Sequence, residues 1–376
     1  MDARFGFPPR RGRGHWSKFV SGFAAAWIAL FALVGCGGKS QPQAETPPSP
    51  TAPATRTIVD QLGREVSVPA DVRRIVLLPM PMPSVIFAID GGGGRIVGMH
   101  PTAMKAYRES TLKDIDPALA QVPTNFVQEG FTVNLEELLK LRPDVVIQWD
   151  DQKPEIEKME RAGLPVLAIH HGTQEDLEGW FRMVGKLLGK EERAEALVRY
   201  HEENLQAIRA RTRDIPQERR PKVLLVYNET PRVAGKGIYF DVWMDAAGVR
   251  NAAEDLKGWQ NVSMEQIYRM DPDILLISNF TDRTPEDFLN NRIEGQDWSQ
   301  LRAVREGRVY KVPLVGYRWE PPNPESPLMM WWLGKLAHPN AFADVDVVAK
   351  VQEFYRDFYG YTISREEVVR RLHNVY

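Results

Sequence analysis

The chain is poor in cysteine: Cys36 is the single one in 376 residues. With no second thiol there is no intramolecular disulfide, no cysteine-ligated cluster and no redox pair. Over the whole chain 48 Lys and Arg meet 50 Asp and Glu for a formal net charge of −2, and the body of the chain holds no basic stretch. That balance excludes nucleic acid as a partner, because nucleic acid demands a basic footprint. Long apolar runs are also scarce. The one continuous run, Phe19 to Val34, is shorter than the ~20 residues a spanning helix needs. P-loop GK[ST], HExxH and GxSxG motifs are missing, and Gly91 to Gly94 lacks the context of a phosphate loop and reads as a helix stop. The seven histidines are dispersed, whereas a free-metal site converges three or four His, Asp or Glu ligands. Asp150 and Asp151 remain as an acid–base pair or, equally well, a solvated loop. Not an enzyme is the reading these absences favour.

The first residues belong to a different class from the rest. Arg10, Arg11, Arg13 and Lys18 precede the apolar run, which ends in Leu33-Val34-Gly35-Cys36 and resembles the lipobox of bacterial lipoproteins. Cleavage before Cys36 leaves its thiol at a new N-terminus, free to carry diacylglycerol. A plain signal peptide or short anchor with an incidental cysteine is the alternative. Residues 1–35 are thus expected to be a leader. Residues 36–56, rich in Gly, Pro, Ser and Thr, form a tether that buries too little apolar surface to fold.

Over the whole chain the composition, 43% hydrophobic and 26% charged, is that of a soluble globular protein, and the folded part is expected to begin near Thr57. A hairpin is expected over Ile58 to Val68. Short β-rich runs follow at Arg74 to Leu78, Arg95 to Met99, Asp144 to Trp149 and Val166 to His170, with helices at Ser84 to Asp90 and Ile156 to Gly163. The alternation restarts at Lys222 to Tyr227, with a helix at Phe240 to Ala247 and strands at Asp273 to Ser278 and Arg308 to Val312. Strands alternating with helices predict an α/β fold of two Rossmann-like lobes with mostly parallel sheets: residues 57–189 and 215–376. Between them, residues 190–214 contain no Gly or Pro and place Ala194, Leu197, Val198, Leu205 and Ile208 near helical spacing. A single long helix there would join the lobes as a stiff strut.

One segment is written twice. NLEELLKLRPDVVI begins at Asn134 and SMEQIYRMDPDILLI at Ser263, and one constant offset aligns Glu136 with Glu265, Pro143 with Pro272 and Asp144 with Asp273. Asn134 and Ser263 are good N-caps, and Glu137 and Gln266 stand three residues later, so two capping boxes are expected. Each copy then supplies a short helix, a proline and a buried strand.

These two segments, the C-terminal LRAVREGRVYKVP and the bilobal layout resemble the cobalamin-, haem- and siderophore-binding proteins of bacterial ABC importers, from about Thr57 to Tyr376. The resemblance implies a ligand held in the cleft between two α/β lobes. It also implies delivery to a permease dimer with a cytoplasmic ATPase, by an extracytoplasmic monomer tied to the membrane through its lipid alone. In that family a glutamate near the start of each repeat pairs with permease arginines; the matching residues are Glu136 and Glu265. The same two acids would also be favoured simply by the helix dipole. No cofactor is implied, since any metal arrives in the ligand. An iron–siderophore-type chelate heads the readings; haem, cobalamin and a free transition metal such as nickel stay open.

Ligands of α/β sheets bind beyond the carboxyl ends of the strands. In this chain those ends are Pro79 to Pro83, His100 to Tyr107, Trp149 to Lys153, Asn228 to Tyr239 and Gly316 to Pro322. GYRWEPP offers Tyr317, Arg318 and Trp319 in a row, and an arginine among aromatics suits an anionic, flat ligand. Trp149, Tyr107 and Tyr239 join them as candidate ligand contacts. His100 can serve as a hydrogen-bonding group or a metal ligand. His170 and His171 are adjacent and point opposite ways, Tyr227 is a further candidate, and Met80 and Met82 are either gap-fillers or soft ligands. Met329, Met330, Trp331 and Trp332 read as helix core.

Overall fold

A computed structural model of the chain describes residues 54–128, 130–227, 231–373 and 375. The leader, Cys36 and most of the tether lie outside the described residues. Among those described, no helix is long and apolar enough to cross a membrane.

The chain enters through the hairpin Thr55–Val59 and Glu65–Pro69, paired antiparallel. Asp60 fastens this hairpin to the first lobe: one carboxylate oxygen takes the amides of Leu62 and Arg64, and the other takes Arg64 and the amide of Ala168. The first sheet runs Ile96–Met99, Ile75–Leu77, Val145–Trp149, Val166–Ile169 in space, parallel throughout. Its two central strands are buried at every residue, as a sheet covered by helices on both faces requires. Met82–Asp90, which starts two residues before the Ser84 expected, stops at Gly91, whose φ of 87° needs a residue without a Cβ penalty. The helix Gln174–Leu188, closed by a Thr173–Asp176 capping box, packs on this lobe and had no counterpart in the sequence reading.

The second sheet is mixed. Its spatial order is Trp259–Asn261, Arg232–Ala234, Lys222–Val226, Ile274–Ile277, Val309–Lys311, with Arg250–Asn251 also beside Lys222–Val226. The strands at Arg232 and Trp259 pair antiparallel and the others parallel. Between the lobes, Glu191–Thr212 is one unbroken helix of 22 residues, about 33 Å long at 1.5 Å per residue. Ala194, Leu197, Val198, His201 and Ile208 form its buried face.

The repeated segment folds alike in both lobes, as short helices Leu135–Lys140 and Met264–Met270. Each copy turns its proline from a left-handed residue: Arg142 (φ 45°) in the first and Asp271 (φ 34°) in the second, at aligned positions. The aspartate after each proline then pins the start of the neighbouring strand. Asp144 Oδ2 accepts the amides of Arg73 and Arg74, and Asp273 Oδ2 accepts that of Lys222. The caps differ. Ser263 and Gln266 make the reciprocal box. Asn134 accepts from the amides of Glu136 and Glu137, but Glu137 does not reach back. Its carboxylate is taken by Lys140 and Asn125, while the Asn134 amide donates to Phe126.

The end of the chain does not stay with the second lobe. Val347–Phe354 continues into a π-helical turn, Tyr355–Tyr359, and then Arg365–Arg371. Thr111 of the first lobe bonds Tyr355, and Arg371 donates to the Glu109 carbonyl. From the long helix, Arg193 donates to the carbonyls of both Ala88 and Phe358. Both lobes thus belong to one compact unit.

Candidate functional site

Where the two sheets present their carboxyl ends, they enclose a cavity of about 270 Å³. The first lobe contributes Met80 and Pro81 after its central strand, and Trp149, Asp151 and Gln152 at the end of the next. It adds His171 after the last strand, and Phe131. The second contributes Tyr227 directly after Lys222–Val226, Tyr239 and Phe240 at a helix start, Trp259, Phe280, Tyr317, Pro321 and Pro322.

The wall is a chain of rings. Phe280 stacks on Tyr227 at 5.0 Å, Tyr227 meets the edge of Trp259 at 4.6 Å, and Trp259 meets Phe240 at 5.2 Å. Opposite, Trp149 meets His171 at 5.0 Å, and Trp180 behind it at 5.5 Å. Phe131 takes its place with φ 66°, a left-handed conformation unusual for an aromatic residue. Of the cavity's side chains among the described residues, Asp151 is the one carboxylate and His171 the one imidazole; none is Lys or Arg.

Trp149, Tyr239 and Tyr317 are therefore brought together as expected. The Tyr317 hydroxyl is buried and makes no hydrogen bond among the described residues. Burial raises its pKa, with Arg318 pulling the other way. Tyr239 donates to Gln174 Oε1 of the first lobe at 3.1 Å. Tyr227, burial-shifted upward in the same way, is also on the wall.

Four other candidates lie elsewhere. Arg318 is buried, and its guanidinium is committed to the Asn279 carbonyl at 3.2 Å and the Thr102 carbonyl at 3.3 Å. It rests 4.5 Å from the Phe280 centroid, backing the wall without lining it. Trp319 is fully buried and donates its indole N–H to Glu325 at 2.6 Å. His100 to Tyr107, expected as loop, fall on the cap and body of the helix Pro101–Glu109: Pro101 presets the first turn and His100 Nδ1 caps it by accepting from the Thr102 amide at 3.1 Å. His100 is consequently a buried cap whose ring lies 4.8 Å from that of Phe131. Tyr107 falls in the last turn, buried, its hydroxyl on the Asp116 carbonyl at 2.9 Å. Among the described residues, no three His, Cys, Asp or Glu converge as a metal site.

The two adjacent histidines do diverge. His170 Nδ1 pairs with Asp150 at 2.7 Å, and His171 faces the cavity with Asp151 at 4.0 Å. Met80 lines the cavity, whereas Met82 is buried in a helix. Met329, Met330, Trp331 and Trp332 are helix core.

Sequence reading missed Phe280, Trp259, Phe240 and Phe131. Phe280 stands just beyond Ile274–Ile277, so the strand-end rule that found Trp149 would have found it too. Trp259 sits on an antiparallel strand outside the expected parallel pattern. Phe131 owes its place to a left-handed backbone that no local motif announces.

Glu136 and Glu265 occupy equivalent first-turn positions and are both exposed. Glu136 lies 3.2 Å from Lys140. The pKa of Glu265 is lowered, chiefly by the Ser263 hydroxyl.

Two lobes, a rigid linking helix and a cavity at facing strand ends define a solute-binding protein. The chain belongs to the periplasmic binding protein family, whose model matches residues 101–314; it is a substrate-binding protein of an ABC transporter and not an enzyme. It is 27% identical over 345 residues to the molybdate-binding protein MolA of Haemophilus influenzae, covering 85% of this chain and 95% of that one. It is 22% identical over 318 residues to the iron(3+)-hydroxamate-binding protein FhuD of Bacillus subtilis, covering 82% and 94%. A solved periplasmic solute-binding protein from Veillonella parvula shares 39% identity with a TM-score of 0.78, over 85% of this chain and 97% of that one. The family places the protein outside the cytoplasm.

Proposed function

We propose that this protein captures a compact metal chelate of the iron–siderophore type between its lobes and delivers it to an ABC permease. The observation that carries the reading is the ring wall: aromatic side chains from both lobes face one cavity of about 270 Å³. Such a surface gains by contact with the flat or apolar flanks of an organic chelator. Its volume is at the small end for organic ligands, which favours a compact chelate over haem or cobalamin. A bare tetrahedral oxyanion is held most strongly by cationic donors, and Arg318, the arginine expected to supply one, is spent on two backbone carbonyls. The wall offers neutral donors instead, the Tyr317 hydroxyl foremost.

Docking is assigned to Glu136 and Glu265, one on each lobe, reading a two-fold pattern of arginines; charge complementarity of that kind sets orientation and on-rate. Cys36 is assigned as the lipid attachment point, to be checked by metabolic labelling with a fatty acid, which Cys36→Ala abolishes.

The cargo is tested by tryptophan fluorescence. Purified protein is titrated with a ferric trihydroxamate, a ferric catecholate, haem, cobalamin, molybdate and free Ni²⁺, Zn²⁺ or Fe³⁺. Saturable quenching by a ferric chelate is expected, because Trp149 and Trp259 lie on the wall. Saturation by molybdate or a free ion alone overturns the reading.

A further inference from the structure

Behind the ring wall lies a carboxylate that the binding site itself does not use. Glu325 is fully buried and accepts four hydrogen bonds, all from neutral donors. Oε2 takes the Trp319 indole at 2.6 Å and the Gly316 amide at 3.2 Å; Oε1 takes the hydroxyls of Tyr359 at 3.0 Å and Tyr355 at 3.3 Å. Gly316 and Trp319 flank the residue that matters to the ligand, Tyr317. Tyr355 in turn meets Thr111 Oγ1 at 2.9 Å, and the Thr111 amide donates to the Val315 carbonyl at 2.8 Å. One carboxylate therefore links the first lobe, the π-helical turn and the loop that carries Tyr317.

Two independent features look built for this contact. A Cβ on residue 316 would come within 2.2 Å of Glu325 Oε1 and 2.8 Å of the Tyr355 hydroxyl, so only glycine lets the carboxylate close on the loop. The turn Tyr355–Tyr359 is π-helical, and it sets two phenols on the same oxygen.

We propose that Glu325 is a positioning residue for ligand capture: from behind the cavity it fixes the Gly316–Trp319 loop, and with it the Tyr317 hydroxyl, against the first lobe. Ionised, it uses both oxygens as acceptors and holds all four donors. Protonated, it becomes a donor at one oxygen, and one of the four contacts is lost or reversed. The phenols can turn to accept; the Gly316 amide and the Trp319 indole cannot. The proton therefore sits on Oε1, toward a phenol that turns to accept it, and neutralisation leaves the Gly316 amide and the Trp319 indole on an uncharged carbonyl oxygen, a weaker acceptor that holds the loop less tightly. Burial pushes the Glu325 carboxyl up to about 7, against the bonds from Trp319, Gly316, Tyr359 and Tyr355, so the device operates near neutral pH. The titratable and charged groups around it are Tyr200 on the long helix, Tyr355 and Tyr359 on the π turn, and Arg371, which acts on Tyr355. Glu353 and Asp357 act on Tyr200. Arg318 and Glu320 share the loop, and His201 holds the adjacent Pro324 carbonyl at 2.9 Å.

The proposal rests on the cleft being the ligand site, but its first measurement needs no ligand. Full-length protein carries ¹⁵N-tryptophan, and Trp319→Phe assigns the Trp319 indole resonance. In the wild type this resonance moves with a midpoint near neutral pH; in Glu325→Gln, an isosteric mimic of the neutral acid, it stays flat. Tyr359→Phe keeps the ring, removes one donor and raises the midpoint. The second measurement uses a ferric trihydroxamate as probe. At high pH, Glu325→Gln binds it about tenfold more weakly than wild type, the scale of one hydrogen bond; at low pH the two converge. An indole titration unchanged in Glu325→Gln overturns the positioning role. Parallel affinity profiles for the two proteins overturn its link to capture. If the wild type does not bind the probe, the cargo reading fails, while the indole titration still decides for or against Glu325.

Discussion

The Tyr239 hydroxyl donates to Gln174 Oε1 at 3.1 Å, tying a ring of the second lobe's cavity wall to the first residue of a helix in the first lobe. Gln174 is itself held by Glu178 at 3.2 Å and by His201 of the long helix at 3.3 Å. Burial lowers the His201 pKa to about 4, so the imidazole stays neutral and donates from Nε2 to the Pro324 carbonyl. Removing the hydroxyl with Tyr239→Phe takes a donor from a half-buried acceptor while preserving the ring. A loss of roughly 1–2 kcal/mol in stability is expected, read by urea denaturation, together with weaker quenching by the ferric chelate.

Arg318 spans the same divide from another direction, through carbonyls of Thr102 and Asn279. Its neighbour Glu320 is fully buried, accepts from Ser278 and Asn279, and titrates above its ordinary range because of burial, with Arg318 among the groups opposing the shift. Arg318→Met removes that opposing charge and the hydrogen bonds to the Asn279 and Thr102 carbonyls, and should cost on the order of 1–3 kcal/mol, measurable by chemical denaturation. Phe280→Leu, which removes only the ring that Arg318 backs, should weaken chelate binding with a much smaller change in denaturation midpoint.

Trp149 and Trp259 should report the ligand, and the buried Trp298, in a separate apolar cluster of the second lobe, should not. Trp259→Phe is therefore expected to remove a large share of ligand-induced quenching, and Trp298→Phe to leave the quenching amplitude nearly intact. Fluorescence titration of the two variants checks this.

Charge reversal at both lobe tops, Glu136→Arg with Glu265→Arg, should abolish uptake in cells while leaving affinity for the chelate unchanged. Both side chains are exposed, so stability should move by no more than a few tenths of a kcal/mol. Unimpaired transport would sink the docking assignment.

The buried carboxylate also shapes stability against pH. Because the folded state holds the Glu325 proton up to about 7, above the ordinary carboxylate range, it binds more protons than the unfolded state between those limits. Stability therefore falls as pH rises through that window, by up to about 1.4 kcal/mol per unit for this group. The difference in denaturation free energy between wild type and Glu325→Gln should shift in that sense from pH 5 to pH 7 and level off above it.

The repeat, the strand runs and the long helix were legible because each is a local pattern: a cap, a proline, a buried run, an uninterrupted helical face. The cavity was legible where it follows strand ends, which is why Trp149, Tyr239 and Tyr317 could be named. Arg318 and Trp319 could not be separated from Tyr317 by sequence. Three consecutive side chains in one loop went to three surroundings, and Glu325 and the π turn, distant in sequence, decided which. Tyr107 and His100 failed for a simpler cause: Pro101 begins a helix where a loop was expected.

The long helix Glu191–Thr212 and the returning C-terminal segment connect the same two lobes at separate places. A body joined twice cannot swing open about one hinge without breaking Thr111–Tyr355 and Arg371–Glu109 together. Exchange of cargo should then be governed by side chains and short loops at the cavity mouth. In relaxation experiments, motion is expected around Gly316–Pro322 rather than as a concerted domain rotation on the microsecond-to-millisecond scale.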